Sequence, residues 1–110
     1  MKSVNIGGIP YDFYLVPDII PGDTSDDDRV GEADNREFTI KIANFGPQEF
    51  VKQTFYHKIL HAIAHVMCIP ELDKLDDHTD TIIDRLALGL MLAMRSVGVK
   101  VSDHMEEEDA

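Results

Sequence analysis

Apolar and polar positions divide this chain into two alternating, strand-like regions followed by two stretches of helical period. In "VNIGGIPYDFYLVPDI", residues 4–19, apolar, β-branched and aromatic residues flank Gly7-Gly8, which signals a tight hairpin. "PGDTSDDDR", residues 21–29, has no apolar residue and reads as a loop. In "VGEADNREFTIKIA", residues 30–43, Phe38, Ile40 and Ile42 alternate with Thr39 and Lys41. That alternation gives one buried face to a second hairpin, turning at Asp34-Asn35. The first helix is predicted from Pro47 to about Cys68, with Asn44 or Gly46 as cap, Pro47 in the first helical position and Pro70 as the stop. "PELDKLDDH" is a polar connector. A second helix is predicted from about Thr79 to Val97, capped by Asp77 or Thr79, with acids in its first turn and Gly98 beyond its end.

The expected fold class is α+β: a small three- or four-stranded antiparallel sheet built from two hairpins, with two long helices packed on it and on each other. A chain of 110 residues makes one domain. We place that domain at residues 1–98 and expect the acidic stretch 99–110 to fray.

Composition narrows the function classes. No window approaches the roughly 20 consecutive apolar residues of a membrane span, and "MKSVNIGGIPYDFY" lacks the apolar core of a signal peptide. Cys68 is the single cysteine, so no internal disulfide forms, which points to a reducing, cytoplasmic setting. The net charge of −11, with 10 scattered Lys and Arg, argues against direct nucleic-acid binding. Such acidity serves solubility, or mimics nucleic acid toward a basic partner. Asp26-Asp27-Asp28 lacks the alternating carboxylates, central glycine and terminal glutamate of an EF-hand loop.

Candidate chemistry lies on the first helix, in "FYHKILHAIAHVM", residues 55–67. At 100° per residue, Phe55, Ile59, Ala62, Ile63 and Val66 face the core. His57, His61, His65 and Cys68 fall on roughly the opposite side. His57 and His61, one turn apart, project in parallel and can share a cation. His65 can instead pair with His61, but His57 and His65 are about 12 Å apart along the axis. A buried histidine held only by hydrogen bonds is the commoner use of such a residue. A third ligand would come from Asp80 or Asp84, on the border of the second helix's apolar stripe. Otherwise Asp80 meets the helix dipole and Asp84 a basic neighbour. His78 and His104 carry no spacing argument.

From "VNIGGIPYDFYLV" through "VGEADNREFTIKI" to "VKQTFYHKILHAIAHVM" and "DTIIDRLALGLMLAMRS", the chain resembles small phage and prophage proteins of the zincin-like ImmA/IrrE metallopeptidase type. The likeness spans about residues 3–97, and "H-x-I-L-H-A-I" and "I-D-R-L-A" are its most specific pieces. The resemblance implies a minimal zincin-like fold in the cytoplasm of a bacterial host. It implies Zn2+ held by His57, His61 and Asp84, with Asp80 as the alternative third ligand.

The departure is Lys58, which stands where the family's H-E-x-x-H pattern has its general-base glutamate. An ammonium, with a reference pKa of about 10.4, is a donor and does not take a proton from zinc-bound water. Held about 5 Å from a divalent ion, it would repel it by about 6–7 kcal/mol at an effective dielectric of 20. Either the lysine turns away, or the metal is weakened or lost. Three readings follow. One is a degenerate zincin-like module without peptidase activity, retaining a divalent metal and acting through a protein partner. Another is an active zinc hydrolase whose base comes from Glu49, Asp80 or a loop aspartate, or in which a metal hydroxide acts unaided. The last is an acidic inhibitor or nucleic-acid mimic without metal.

Overall fold

The computed structural model describes residues 2–16, 31–44, 47–74 and 76–98. The 21–29 loop, Gly46, the 99–110 stretch and His104 lie outside the described residues. Four strands are followed by two helices: β1 (Lys2–Ile6), β2 (Ile9–Val16), β3 (Gly31–Asp34), β4 (Thr39–Ala43), α1 (Gln48–Val66) and α2 (Asp77–Ser96). This is the expected α+β class with both hairpins present. β1 pairs antiparallel with β2, closing at Ile6–Ile9, and β3 pairs antiparallel with β4, closing at Asp34–Thr39.

The sheet is mixed rather than wholly antiparallel. Its order is β1-β2-β4-β3, and β2 and β4 run parallel from Asp12–Thr39 to Val16–Ala43. The hairpins join through their second strands, and β3 supplies the return pass that a parallel neighbour requires. β3 is left as an edge strand.

Gly7 and Gly8 make the first turn with φ of +58° and +90°, a region where only glycine is unstrained. In the second turn Asp34 Oδ1 accepts from the amides of Arg36 and Glu37, at 2.9 and 3.1 Å. These bonds hold the Asp34 carboxyl below the usual range. Phe38 does not continue the buried alternation of Ile40 and Ile42. It closes the turn at φ +55° and is 42% exposed, its ring edge-on to Tyr11. A four-residue turn needs one left-handed residue to bring the chain back into register, and the demand falls on Phe38.

α1 starts one residue later than expected, with Pro47 as the cap residue, its carbonyl accepting from Phe50 and Val51. It ends in a Schellman motif: the Ile69 amide bonds to the Ala64 carbonyl and the Cys68 amide to that of His65, at 2.9 and 3.2 Å. Cys68 takes the left-handed position, φ +54°, that glycine usually fills. α2 is capped by Asp76, whose carboxylate accepts from the Thr79 amide at 2.7 Å.

One face of the sheet, with Tyr11, Phe13, Ile40 and Ile42, is buried against Val51, Phe55 and Ala62 of α1. α1 packs against β1, β3 and β4, and α2 packs on α1. No helix among the described residues is long and apolar enough to cross a membrane.

Candidate metal centre

The side of α1 that carries His57 and His61 is partly roofed by the first two turns of α2. His57 Nε2 and His61 Nε2 are 3.0 Å apart. Asp80 Oδ1 lies 2.9 Å from the first and 3.1 Å from the second. Three donor atoms from two helices thus form a near-equilateral triangle. Among the described residues, His57, His61 and Asp80 form the group that could hold a metal ion. The imidazoles are sequestered, with side chains 12% and 18% exposed, whereas Asp80 is 48% exposed.

Asp84, the third ligand implied by the resemblance, sits on the other side of the His57 ring. Its Oδ1 is 3.1 Å from Nδ1 of His57 and also accepts from Gln53 Nε2 at 3.1 Å. Asp80, the alternative, is the carboxylate that meets both Nε2 atoms. One α-helical turn separates the two acids, so they grip one imidazole from its two nitrogens. A carboxylate only accepts hydrogen bonds, so with a cation in the triangle Asp84 would hold the His57 proton on Nδ1 and leave the Nε2 lone pair for the ion. Sequence reasoning missed Gln53, which braces Asp84. Its position one turn before His57 was the available signal.

With His57 in that tautomer, two acceptor atoms, its Nε2 and Asp80 Oδ1, face each other at 2.9 Å. Such a contact needs positive charge between the atoms: a second proton on His57, or a metal ion. Donors about 2.1 Å from one cation lie roughly 3.0 Å apart at right angles and roughly 3.4 Å apart in a tetrahedron. The observed edges fit three neighbouring positions around a cation, and tetrahedral zinc would need them to open by about 0.4 Å. Chemically the donor set suits a first-row divalent ion.

Burial is the largest influence on His61 and lowers its pKa; the Asp80 hydrogen bond opposes it, while the charges of His57 and Lys58 add to the lowering. Its ring is therefore kept ready to ligate. Burial acts to raise Asp80, but the hydrogen bonds and charge of the two histidines prevail and hold its carboxyl below the usual range.

Lys58 is half-buried beside the triangle, and its stem crosses β3 at Gly31. A Cβ at Gly31 would come within 2.9 Å of Lys58 Cε and 2.8 Å of Thr54 Cγ2, so the absence of a side chain there makes room for the lysine. No described carboxylate forms an ion pair with it. The remaining candidates lie apart. His65 pairs with Asp73 of the connector at 3.3 Å, and His78 is exposed on the first turn of α2. Glu49, two turns before His57, is tied to Arg95 near the far end of α2, and that bond lowers its pKa. Comparison with known proteins finds no matching family model, no similar curated sequence and no similar solved structure, so the site's own chemistry carries the argument.

Proposed function

We propose that this chain is a zincin-like, divalent-metal-binding module without ordinary peptidase activity, which acts by engaging a protein partner. The observation that carries the reading is the triangle of His57 Nε2, His61 Nε2 and Asp80 Oδ1, with Asp84 setting the tautomer from behind. Two imidazoles and a carboxylate are a familiar donor set for zinc, which we take as the cation. When bound, the ion would polarise whatever occupies its open positions.

This chain supplies the imidazoles, the neutralising carboxylate and the orienting pair Gln53–Asp84. Among the described residues, none of the candidate bases is a free carboxylate placed to accept a proton. Lys58 occupies the sequence position of the family's base, Asp80 is in the donor group, and Glu49 is engaged by Arg95. The peptidase cycle needs such an acceptor to activate water and pass its proton to the leaving amine. The partner reading draws support from the net charge of −11, which favours a basic protein surface.

The decisive experiment is elemental analysis of protein purified without a nickel column. Near-stoichiometric zinc, absent from His61→Ala but kept in His78→Ala, is the expected result. Metal-free protein that takes up no zinc on reconstitution would defeat the reading. Chelator-sensitive hydrolysis of unstructured peptides would restore the enzyme reading instead.

A further inference from the structure

The side chains around the triangle do not balance in charge once a divalent ion is present. The ion contributes +2 and the Lys58 ammonium +1, while Asp80 and Asp84 contribute −2 together. Each carboxylate is engaged by a histidine, and no described acid pairs with Lys58. Among the described residues one positive charge is left over, in a chain whose net charge is −11. The place for a counter-charge is also defined. Lys58 precedes His61 by three residues, so these two side chains are neighbours on the surface of α1. The lysine stem lies against Gly31 of β3, so that it is not wholly free to swing into solvent. Asp80, 48% exposed, leaves the donor group open to solvent.

We infer that the metal-loaded site binds a monoanionic carboxylate, with one oxygen toward the ion and the other toward Lys58. The inference rests on the metal reading above and names the ligand class of that site. A carboxylate fits because it bears one charge on two oxygens and can bridge two cations at once. Its binding turns the repulsion between Lys58 and the ion into two attractions. The lysine that removes water activation thereby becomes a selectivity element. A dianion such as phosphate would overshoot the count.

The test uses the full chain loaded with Co2+, whose visible spectrum reports ligand exchange, titrated with acetate at constant pH and ionic strength in perchlorate. Acetate should shift the spectrum saturably. Lys58→Met, which keeps the stem against Gly31 but removes the charge, should bind acetate at least tenfold more weakly while binding Co2+ more tightly than wild type. Lys58→Gln serves the same purpose if the methionine variant misfolds. A cobalt spectrum insensitive to acetate would overturn the inference, as would equal acetate affinity in wild type and variant or tighter binding of phosphate than of acetate. Failure to take up Co2+ at all is a different result: it defeats the metal reading, and the carboxylate with it.

Discussion

The two helices are nearly equal in length, 19 and 20 residues, yet they meet the rest of the molecule differently. α1 lies between the sheet and α2. Its buried residues, Val51, Thr54, Phe55, Tyr56, Ala62 and Ala64, are spread around much of its circumference. α2 touches chiefly α1, and its buried residues Thr79, Ile83, Ala87 and Met91 recur every fourth position along one stripe. This contrast carries over to the candidate site. The imidazoles come from the enclosed helix and are held nearly out of solvent. The carboxylates come from the outer helix, where Asp80 and Asp84 are 48% and 52% exposed. A polar ring inside a covered surface is costly unless paired, whereas an acid on a half-open surface can adjust to what binds. Rigid ligands on one helix and adaptable ones on the other make a site that is preformed but not closed.

The sharpest way to break this comparison is to truncate each helix in turn. Phe55 is 2% exposed and edge-on to both Phe13 and Tyr56, with centroids 5.0 and 5.6 Å away. Phe55→Ala should cost about 3–5 kcal/mol in urea unfolding, because neither the sheet nor α2 can close the cavity. A loss under about 1 kcal/mol would mean that α1 is not the enclosed element.

Next comes the division of labour between ligand and support. His61→Ala should weaken zinc binding by more than 100-fold in a competition titration, beyond the effect of removing an outer-shell group. Asp84→Ala should cost about 10–100-fold, since it releases the His57 tautomer without removing a donor from the triangle. A loss in Asp84→Ala as large as in His61→Ala, with a smaller one in Asp80→Ala, would make Asp84 the ligand and Asp80 the support. Zinc affinity should also fall as the pH is lowered, because a protonated imidazole cannot ligate. Burial holds the His61 pKa below the usual histidine value, so its share of the loss comes at a lower pH than for a free imidazole.

A smaller effect tests how the first hairpin seats α1. A Cβ at Gly7 would lie 2.7 Å from Val66 Cγ1, at the last turn of α1, while one at Gly8 would meet nothing within 4 Å. Both glycines have positive φ, so Gly7→Ala and Gly8→Ala share the conformational penalty and differ by the clash. Gly7→Ala should be the more destabilising by about 1–2 kcal/mol. Equal losses would show that the turn does not grip the helix.

Much of this frame was legible in the sequence because it depends on local signals. Gly7-Gly8, the alternation of Ile40 and Ile42, and two runs of helical period locate all six elements within a few residues. What alternation could not reveal was the turn ending at Phe38, because a period of two is blind to the residue that must go left-handed. Nor could it reveal the parallel join of β2 and β4, which depends on which edges meet rather than on what either strand contains. The site divides along the same line. His57 and His61 followed from spacing within one helix. Choosing between Asp80 and Asp84 required the phase of one helix against another, and even that resolves only at the level of the two ring nitrogens. Lys58 is guided by Gly31, 27 positions earlier, a contact that no local pattern encodes.

The smallest expected effect concerns the outer side of α2. Leu88 and Leu92 are 41% and 49% exposed, one turn apart, on the side away from the buried stripe. If α2 covers α1 and is itself covered by nothing, Leu92→Gln removes little packing and replaces one good helix former with another. Its unfolding free energy should stay within about 0.5 kcal/mol of wild type in dilute solution, set against the several kcal/mol expected for Phe55→Ala. Raising protein concentration sharpens the measurement. A bare face gives a melting temperature that is independent of concentration in both proteins, whereas a face buried by self-association gives a wild-type value that climbs and a Leu92→Gln value that does not. The second outcome would put α2 between two layers, as α1 is, and the contrast between the helices would disappear.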